Sequence, residues 1–593
     1  MPDAVLTPPV QLSLADLVTE AQRLQQAGQA ETAVAMYTDW IADGPPAMRH
    51  VACFNLGTLL GALQRSAEAE AAYRQAVALQ PNFAHARLNL GHLHERAGQH
   101  EPAMAQWRAV IDAGASADLR VHAWNNLGRL LETLRRYPEA EAALRQSLLL
   151  DPQQPNVVQH YVHLRQKQCA WPVYEPVGEV GPNRLVQGTS LLAMMSASDD
   201  PALQLLSAIR FAHERVPKAQ PVALHSTMPP RTGKFKIGYL SGDLHMHAVG
   251  LLTPELFELH DRDKFEVWAF CWTPESEQPQ RQRIVKAMDH LVRLGGVDDA
   301  TAAKLIAQAG IDVLVDLQGL TSGARPAILG WRAAPVQISY LGLPGTSGLP
   351  GVDWIIADHY VMPSALEPYC TERPIRLPHC YQVSDRQREV APRPQRATYG
   401  LPEDHFVYCS FNNNFKFTPE VFGAWMRILQ QVSDSVLWLL ADNHTARENM
   451  LRCADAHGVA RDRLIFAPRV APPEYLARFQ CADLVLDTFP YNAGTTASDA
   501  LWMGTPIVTL SGRSYISRMA GSLLTAVGLP ELATDTLADY EKLAVTLGRQ
   551  PARVQSYKRY LAEQGRSSPL FDLPQIVRDL EAEYERLALL HRA

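Results

Sequence analysis

ADLVLDTFPYNAGTTASDALWMG, residues 482–504, is the stretch whose reading decides the fold. Leu484-Val485-Leu486 is an apolar run of strand length and composition. Phe489-Pro490-Tyr491-Asn492-Ala493-Gly494 reads as a turn, and Thr495-Thr496-Ala497-Ser498-Asp499 opens an apolar helix that stops at Gly504. A strand that feeds a helix N-terminus through a small-residue loop suits a diphosphate. Free N–H groups and the positive end of the helix dipole converge there, and Thr hydroxyls add donors. An ordinary strand-to-helix turn has the same composition, so the surrounding chain must decide between the two.

Outward from this stretch the chain alternates. On its N-terminal side, strands are expected at 406–411, 436–440 and 464–467, with helices at 419–432 and 473–480. Thr418 is the N-cap of the first of these helices and Pro419 its first residue. On its C-terminal side come a strand at 507–510 and a helix at 517–527 that Gly528 ends. A Pro/Arg-rich break at 386–400 separates this set from an earlier one, with strands at 235–240, 265–270, 313–317, 336–341 and 354–357 and a helix at 299–309. Two such sets predict two open parallel sheets covered by helices, with a ligand cleft between their C-terminal strand edges. Neither set contains GxGxxG or GxxxxGK[ST], so dehydrogenase and P-loop readings lose their main support.

Residues 14–155 repeat. Asn-Leu-Gly recurs at 55–57, 89–91 and 126–128, and twelve residues past each Gly stands Ala69, Ala103 or Ala140, with Ala33 in a degenerate first copy. Four residues further on is a bulky side chain, Tyr37, Tyr73, Trp107 or Leu144, and Pro45, Pro81 and Pro152 close three copies. Starts near 14, 50, 84 and 121 lie close to the ~34-residue tetratricopeptide period. Small residues let the two helices of a repeat approach, the bulky residue is expected to fill the gap to the next repeat, and Pro ends the second helix. The recurrent Asn55, Asn89 and Asn126 either grip a peptide backbone on the concave face or brace their own repeats.

The expected domains are an N-terminal tail at 1–13, repeats at 14–155, a linker and helical junction at 156–230, and two Rossmann-like halves at 231–385 and 386–593. Within the junction, Cys169-Ala170-Trp171-Pro172 marks a boundary, 203–215 is helical and 225–233 is a linker. With 593 residues, two to four domains are expected. A hydrophobic content of 47%, a net charge of −7 and a pI near 6.3 describe a globular chain without the basic balance of a nucleic-acid binder. The eight cysteines show no CxxC or zinc-ligand spacing and read as reduced core thiols. No run approaches the ~18 apolar residues of a membrane span, and no basic leader opens the chain, so the expected compartment is the cytoplasm.

Many motifs occur in an order that resembles the O-linked N-acetylglucosaminyltransferase/SPINDLY family: IGYLSGDLHMHAVG (237–250), ARPAILGWRAAPVQISYLGLPGTSG (324–348), LPHCY (377–381), SFNNNFK (410–416), SVLWLL (435–440), RLIFAP (463–468), LDTFPYNAGTTASDALWMG (486–504), SRMAGSLL (517–524) and RSSPLF (566–571). The resemblance covers nearly the whole chain and is closest in layout to the shorter bacterial members. It implies tetratricopeptide repeats before a GT-B glycosyltransferase of two Rossmann-like domains. It also implies transfer of N-acetylglucosamine from UDP-GlcNAc to protein Ser/Thr hydroxyls, without metal or cofactor, on an acceptor guided by the repeats. By resemblance, Lys416, Thr495 and Thr496 hold the diphosphate and Asn413 replaces a Gln near it; Asp499 is near the ribose, Val470 falls where backbone groups read the uracil edge, and Tyr475 falls where a histidine stacks on the base in animal members. Leu341 and Gly342 line the sugar, and His247 is the cleft histidine.

Three positions depart from animal members: Gly494 replaces a His, Pro472 a ribose-contacting Lys and Ser322 an active-site Lys, with Arg469 or Arg325 as candidates to compensate. Chemically, Lys416 and the helix N-terminus would stabilise a departing diphosphate. His247 would take a proton from the acceptor or hydrogen-bond the sugar, oriented by Asp243 or Asp316. Other readings are a GDP-fucose protein O-fucosyltransferase, which shares Phe489-Pro490-Tyr491, a protein N-glucosyltransferase, and a non-enzymatic peptide-binding scaffold.

Overall fold

The structure, a computed structural model, describes residues 12–216, 222–227 and 233–592. Residues 1–11 of the expected tail and 228–232 of the expected linker lie outside the described residues. The chain forms two compact units: one runs to Leu164 and includes Glu175–Leu185, the other comprises Arg165–Tyr174 and the chain from Val186 onward.

The first unit contains four helix pairs: Leu14–Gln26 with Ala30–Asp43, Arg49–Ala62 with Ser66–Leu79, Ala84–Arg96 with His100–Asp112, and Ala117–Thr133 with Tyr137–Leu150. Ala33, Ala69, Ala103 and Ala140 are fully buried. The glycines show why only glycine serves: a Cβ on Gly91 would lie 2.3 Å from Trp107 Nε1, and one on Gly128 would lie 2.3 Å from Leu144. A Cβ on Gly57 would lie 2.7 Å from the Tyr73 ring. The bulky side chain therefore fills the slot that the missing Cβ opens in its own helix pair, and it also packs toward the next repeat: Tyr37 shares a core cluster with Ala52 and Leu59, and Tyr73 one with Ala86 and Leu90. The tyrosine hydroxyls add bonds across: Asn89 Nδ2 donates to Tyr73 Oη at 3.1 Å, and Asn55 bonds the Tyr37 hydroxyl.

The expected linker is mostly helix, at Pro155–Lys167, Pro182–Gly188, Leu191–Ala197 and Pro201–Arg215. Its first helix begins within the repeat unit. Residues 165–174, expected as a junction, are part of the second unit. There Asn443 and Asn449 donate to the carbonyls of Lys167 and Gln168 at 2.8 Å, and Trp171 packs on Phe422 with ring centroids 5.5 Å apart.

The second unit holds two parallel sheets. The first has strands β1 (Phe235–Ser241), β2 (Phe265–Cys271), β3 (His290–Arg293), β4 (Val313–Asp316), β5 (Val336–Ser339), β6 (Trp354–Asp358) and β7 (Arg373–Leu377), in the order β3-β2-β1-β4-β5-β6-β7. The second has β8 (Phe406–Ser410), β9 (Ser435–Leu440), β10 (Leu464–Ala467), β11 (Leu484–Leu486), β12 (Ile507–Leu510) and β13 (Ala533–Thr534), in the order β10-β9-β8-β11-β12-β13. Every pairing is parallel. The central strands are buried apolar runs and were predicted. The three missed strands, β3, β7 and β13, are all at sheet edges, where polar residues and Pro374 weaken the strand signal. The expected caps are in place: Thr418 accepts from Val421 N–H, and Gly528 closes its helix at φ +87°. The helix Asp299–Ala309 is likewise capped by Asp298, which accepts from Thr301 N–H at 2.9 Å, and by Gly310 at φ +70°.

The expected second half, 386–593, gives its last helix to the first sheet. Leu573, Ile576, Leu580, Tyr584 and Leu587 recur every three or four residues and pack into the core of Tyr239, Val267, Val315 and Ile338. Glu581 accepts from His260 at 2.9 Å and Arg592 pairs with Asp312 at 2.6 Å, which anchors the return. A helix read by order in the chain falls to the nearer sheet; this one has its apolar partners in the farther one.

Candidate active site

In each sheet the order reverses between two neighbouring strands, β1 and β4 in the first and β8 and β11 in the second. The loops that leave these strands diverge and open a crevice. The two crevices share one cavity of about 360 Å³. The loop after β1 and the helix Ala248–Leu252 contribute His247; the loop after β5 contributes Leu341, Gly342 and Pro344. The loop after β8 contributes Asn412, Asn413, Phe415 and Lys416, and the loop after β11 contributes Tyr491, Gly494, Thr495 and Thr496. Tyr381 and Gln382, from the chain after β7, complete the wall.

The strand-turn-helix of the opening motif is held from beneath by a buried carboxylate. Asp487 accepts from the N–H groups of Thr488 and Ala493 at 2.8 Å and from Thr509 Oγ1 at 2.6 Å. Burial pushes its pKa up to about 6 despite these bonds. Asn492 Nδ2 donates to the carbonyls of Thr488 and Leu510, so the turn is rigid without help from its exposed face. The helix Thr495–Trp502 starts at Gly494, which has no side chain to cap the first-turn N–H groups. Those donors, and the positive end of the helix dipole, are left for a ligand.

Lys416 follows a short turn in which Asn413 Oδ1 accepts from Phe415 N–H. The turn is buttressed by buried Asn414, which donates to the Lys167 carbonyl, while Cys169 Sγ donates to the Asn414 carbonyl at 3.5 Å. The Lys416 ammonium lies 3.7 Å from the centroid of the Tyr491 ring. Desolvation lowers its pKa to about 8, opposed by the Asp487 charge.

Across the cavity, His247 Nδ1 accepts from Val249 N–H at 3.4 Å and lies 3.5 Å from Asp243 Oδ2. Desolvation lowers its pKa; Asp243 works against this and His245 with it. Asp243 is thus the carboxylate beside His247. Asp316 instead accepts from the N–H groups of Gln318 and Gly319 at 3.0 and 3.1 Å and holds its own loop. Leu341 has φ +68°, a left-handed backbone that is costly for a leucine, and a Cβ on Gly342 would lie 2.2 Å from the Leu317 carbonyl oxygen.

Of the expected site residues, the structure brings His247, Leu341, Gly342, Asn413, Lys416, Thr495 and Thr496 to one cavity. Val470, Tyr475 and Asp499 do not line it. Asp499 is buried in an ion pair with Arg388, and Tyr475 stands beside Thr496, Asp499 and Arg388. Val470 is half-exposed in the loop after β10. Arg325 does not compensate for Ser322, because it is committed to Asp299 at 2.7 Å and to the carbonyls of Leu294 and Val297. Arg469 pairs loosely with Asp442 at 3.6 Å. Beside Gly494, where the resemblance puts a histidine, a Cβ would come within 3.2 Å of Gln382 Oε1. Thr346 and Ser347 are tied to buried Glu372 away from the cavity, so only the start of the 341–348 loop faces it.

Sequence reasoning missed Gln382 and Asn412. Gln382 Nε2 donates to Ser498 Oγ at 2.9 Å, which links the chain after β7 to the Thr495 helix. Asn412 is buried with its Oδ1 unbonded. Its place in SFNNNFK was the one available signal. All eight cysteines are free thiols. Among the described residues no helix is long and apolar enough to cross a membrane, and no group of three or more ligand-type side chains could hold a metal ion.

Two doubly wound sheets with a shared crevice define a GT-B glycosyltransferase architecture, preceded in the chain by tetratricopeptide repeats. The chain belongs to glycosyl transferase family 41, whose pattern it matches over residues 208–393 and 390–580, with tetratricopeptide patterns over 54–118 and 121–154. It is 35% identical over 371 residues to an Arabidopsis thaliana protein named "Probable UDP-N-acetylglucosamine--peptide N-acetylglucosaminyltransferase SEC", covering 61% of this chain and 38% of that one. It is 27% identical over 461 residues to the UDP-N-acetylglucosamine–peptide N-acetylglucosaminyltransferase of Caenorhabditis elegans, covering 59% and 40%. The chain thus spans about two fifths of the length of these curated relatives. A solved structure of a point mutant of Thermobaculum terrenum O-GlcNAc transferase shares the fold over 98% of both chains, with a TM-score of 0.62 at 24% identity.

Proposed function

We propose that the chain is an inverting transferase that moves N-acetylglucosamine from UDP-GlcNAc to Ser/Thr hydroxyls of proteins. The observation that carries this reading is the pairing, in one cavity, of the Lys416 ammonium with the uncapped N-terminus of the Thr495 helix. Transfer builds negative charge on the departing diphosphate. Preorganised cationic and N–H donors stabilise that charge more than they stabilise the bound substrate, which is where rate comes from. Asn413 adds a donor on the same side.

His247, near-neutral and backed by Asp243, faces the sugar and acceptor from the opposite wall. It takes the acceptor proton or orients the attacking hydroxyl. Leu341 and Gly342 close the sugar side. In this reading Tyr475 and Asp499 act from behind Thr496, with Val470, on the base and ribose once nucleotide is bound. Asn55, Asn89 and Asn126 remain half-exposed, and an amide that braces a neighbour with one group keeps the other for a peptide backbone. The names of the relatives favour N-acetylglucosamine over fucose.

The test is calorimetric titration with UDP, GDP and UDP-GlcNAc, followed by transfer of labelled sugar to lysate proteins. Binding of GDP in preference to UDP would assign a fucosyl donor, and binding of no nucleoside diphosphate would leave a scaffold.

A further inference from the structure

Lys416 is unusual among the cations of this chain. Its ammonium sits 3.7 Å above the face of Tyr491, while Phe415 meets the same ring edge-on at 6.2 Å between centroids. Among the described residues no carboxylate forms an ion pair with it; the nearest acidic influence, Asp487, spends its oxygens on Thr488, Ala493 and Thr509. A lysine steered by a carboxylate arrives at a phosphate already neutralised. A lysine steered by an aromatic face meets no counter-charge and keeps N–H donors for a phosphate.

We infer that Tyr491 is the positioning residue for Lys416: its ring holds the ammonium in the cavity as a cation–π contact and leaves its charge free for the diphosphate. This rests on the function proposed above. The loop that holds Tyr491 is fixed by Asp487 and Asn492, so the ring face is part of a rigid wall. Burial pushes the Tyr491 hydroxyl up to about 12, so the ring stays neutral over the working range.

The variants that separate ring from bulk are Tyr491→Phe and Tyr491→Leu, with Tyr491→Met as a second aliphatic choice should Leu not fold. UDP affinity of Phe is expected within about twofold of wild type, and that of Leu to fall roughly 3- to 30-fold, the range of a desolvated cation–π contact. A ring that only fills space would leave the pH profile unmoved. If it holds the charged form of Lys416, the alkaline fall in UDP affinity moves to lower pH in Leu and stays in place in Phe. The other titrating groups near this cavity are Asp487 beneath the turn, His247 across it and Tyr381 in its wall. The two carboxylate and imidazole titrations fall on the acid side and the Tyr381 phenol is raised well above its usual range, so the alkaline limb reports Lys416.

In a Lys416→Met background, Tyr491→Leu should cost nothing further. A wild-type chain that binds no UDP overturns the proposed function and this inference with it. Wild-type binding with an unchanged affinity and alkaline limb in the aliphatic variant, or equal losses with and without Lys416, overturns this inference alone.

Discussion

Lys416 and His247 divide the cavity between them, and each makes its own prediction. On the proposed function, Lys416→Met removes the cation that stabilises the leaving group. The rate of transfer should fall by at least about 10²-fold, while the melting temperature changes little; initial rates with labelled donor and a thermal melt check both. With the Lys416 pKa lowered to about 8, the ammonium is present below that pH and lost above it. UDP affinity of the free protein should therefore be flat near neutrality and fall as pH rises through 8. His247 has the opposite limb: its pKa is lowered below the ordinary histidine value, so it is neutral at pH 7 and protonates on the acid side. If it accepts the proton, kcat should fall with acid, and His247→Ala should lose that limb while keeping UDP affinity, as read by titration at several pH values. The residues that make these predictions were legible because they sit in contiguous motifs. Gln382 and Asn412 were not picked out, because their roles come from strands that are distant in sequence. The left-handed backbone of Leu341 was illegible for a different reason: nothing about a leucine announces it.

At the scale of elements, the repeats were read from glycines and alanines at fixed offsets, and the structure shows the steric reason. Gly91→Ala would drive a methyl into Trp107, whose indole N–H donates to the Leu88 carbonyl at 3.2 Å. The expected cost is about 1–3 kcal/mol, seen as a lowered melting temperature of the repeat unit. Periodicity gives the spacing of the bulky side chains, and the structure adds that each covers the glycine of its own repeat as well as packing toward the next. The triple variant Asn55→Ala, Asn89→Ala, Asn126→Ala tests the peptide grip. It should lower kcat/KM for protein acceptors and leave UDP affinity unchanged; an equal loss in both would mean a folding defect. The edge strands and the three helices between residues 155 and 197 escaped the sequence reading because their faces are mixed, whereas the helix at 203–215 was read, and Thr418 and Gly528 punctuated theirs.

For the whole molecule, the two sheets meet through buried polar contacts that no local pattern encodes. Ser522 Oγ donates to Asp358, whose carboxylate also accepts from Tyr381 N–H in its own half at 2.9 Å, and Tyr515 Oη donates to the Ile356 carbonyl at 3.1 Å. A ligand that bridges both walls should stabilise them together. At about 100 times its dissociation constant, UDP should add about 2.7 kcal/mol to the unit that carries the cavity and raise its melting temperature, with GDP having little effect. Differential scanning calorimetry checks this, and an equal response to both nucleotides would contradict the uridine preference.

The helix Leu573–Arg592 has one more consequence, in the order of synthesis. A ribosome delivers β1 to β7, then the whole second sheet, and only afterwards the helix that covers Tyr239 and Val315. The nascent first sheet therefore waits with an apolar face open while the nucleotide side is already being completed, a state that invites chaperone capture. The half that holds His247 is in this sense the last to mature, although it is the first to be translated.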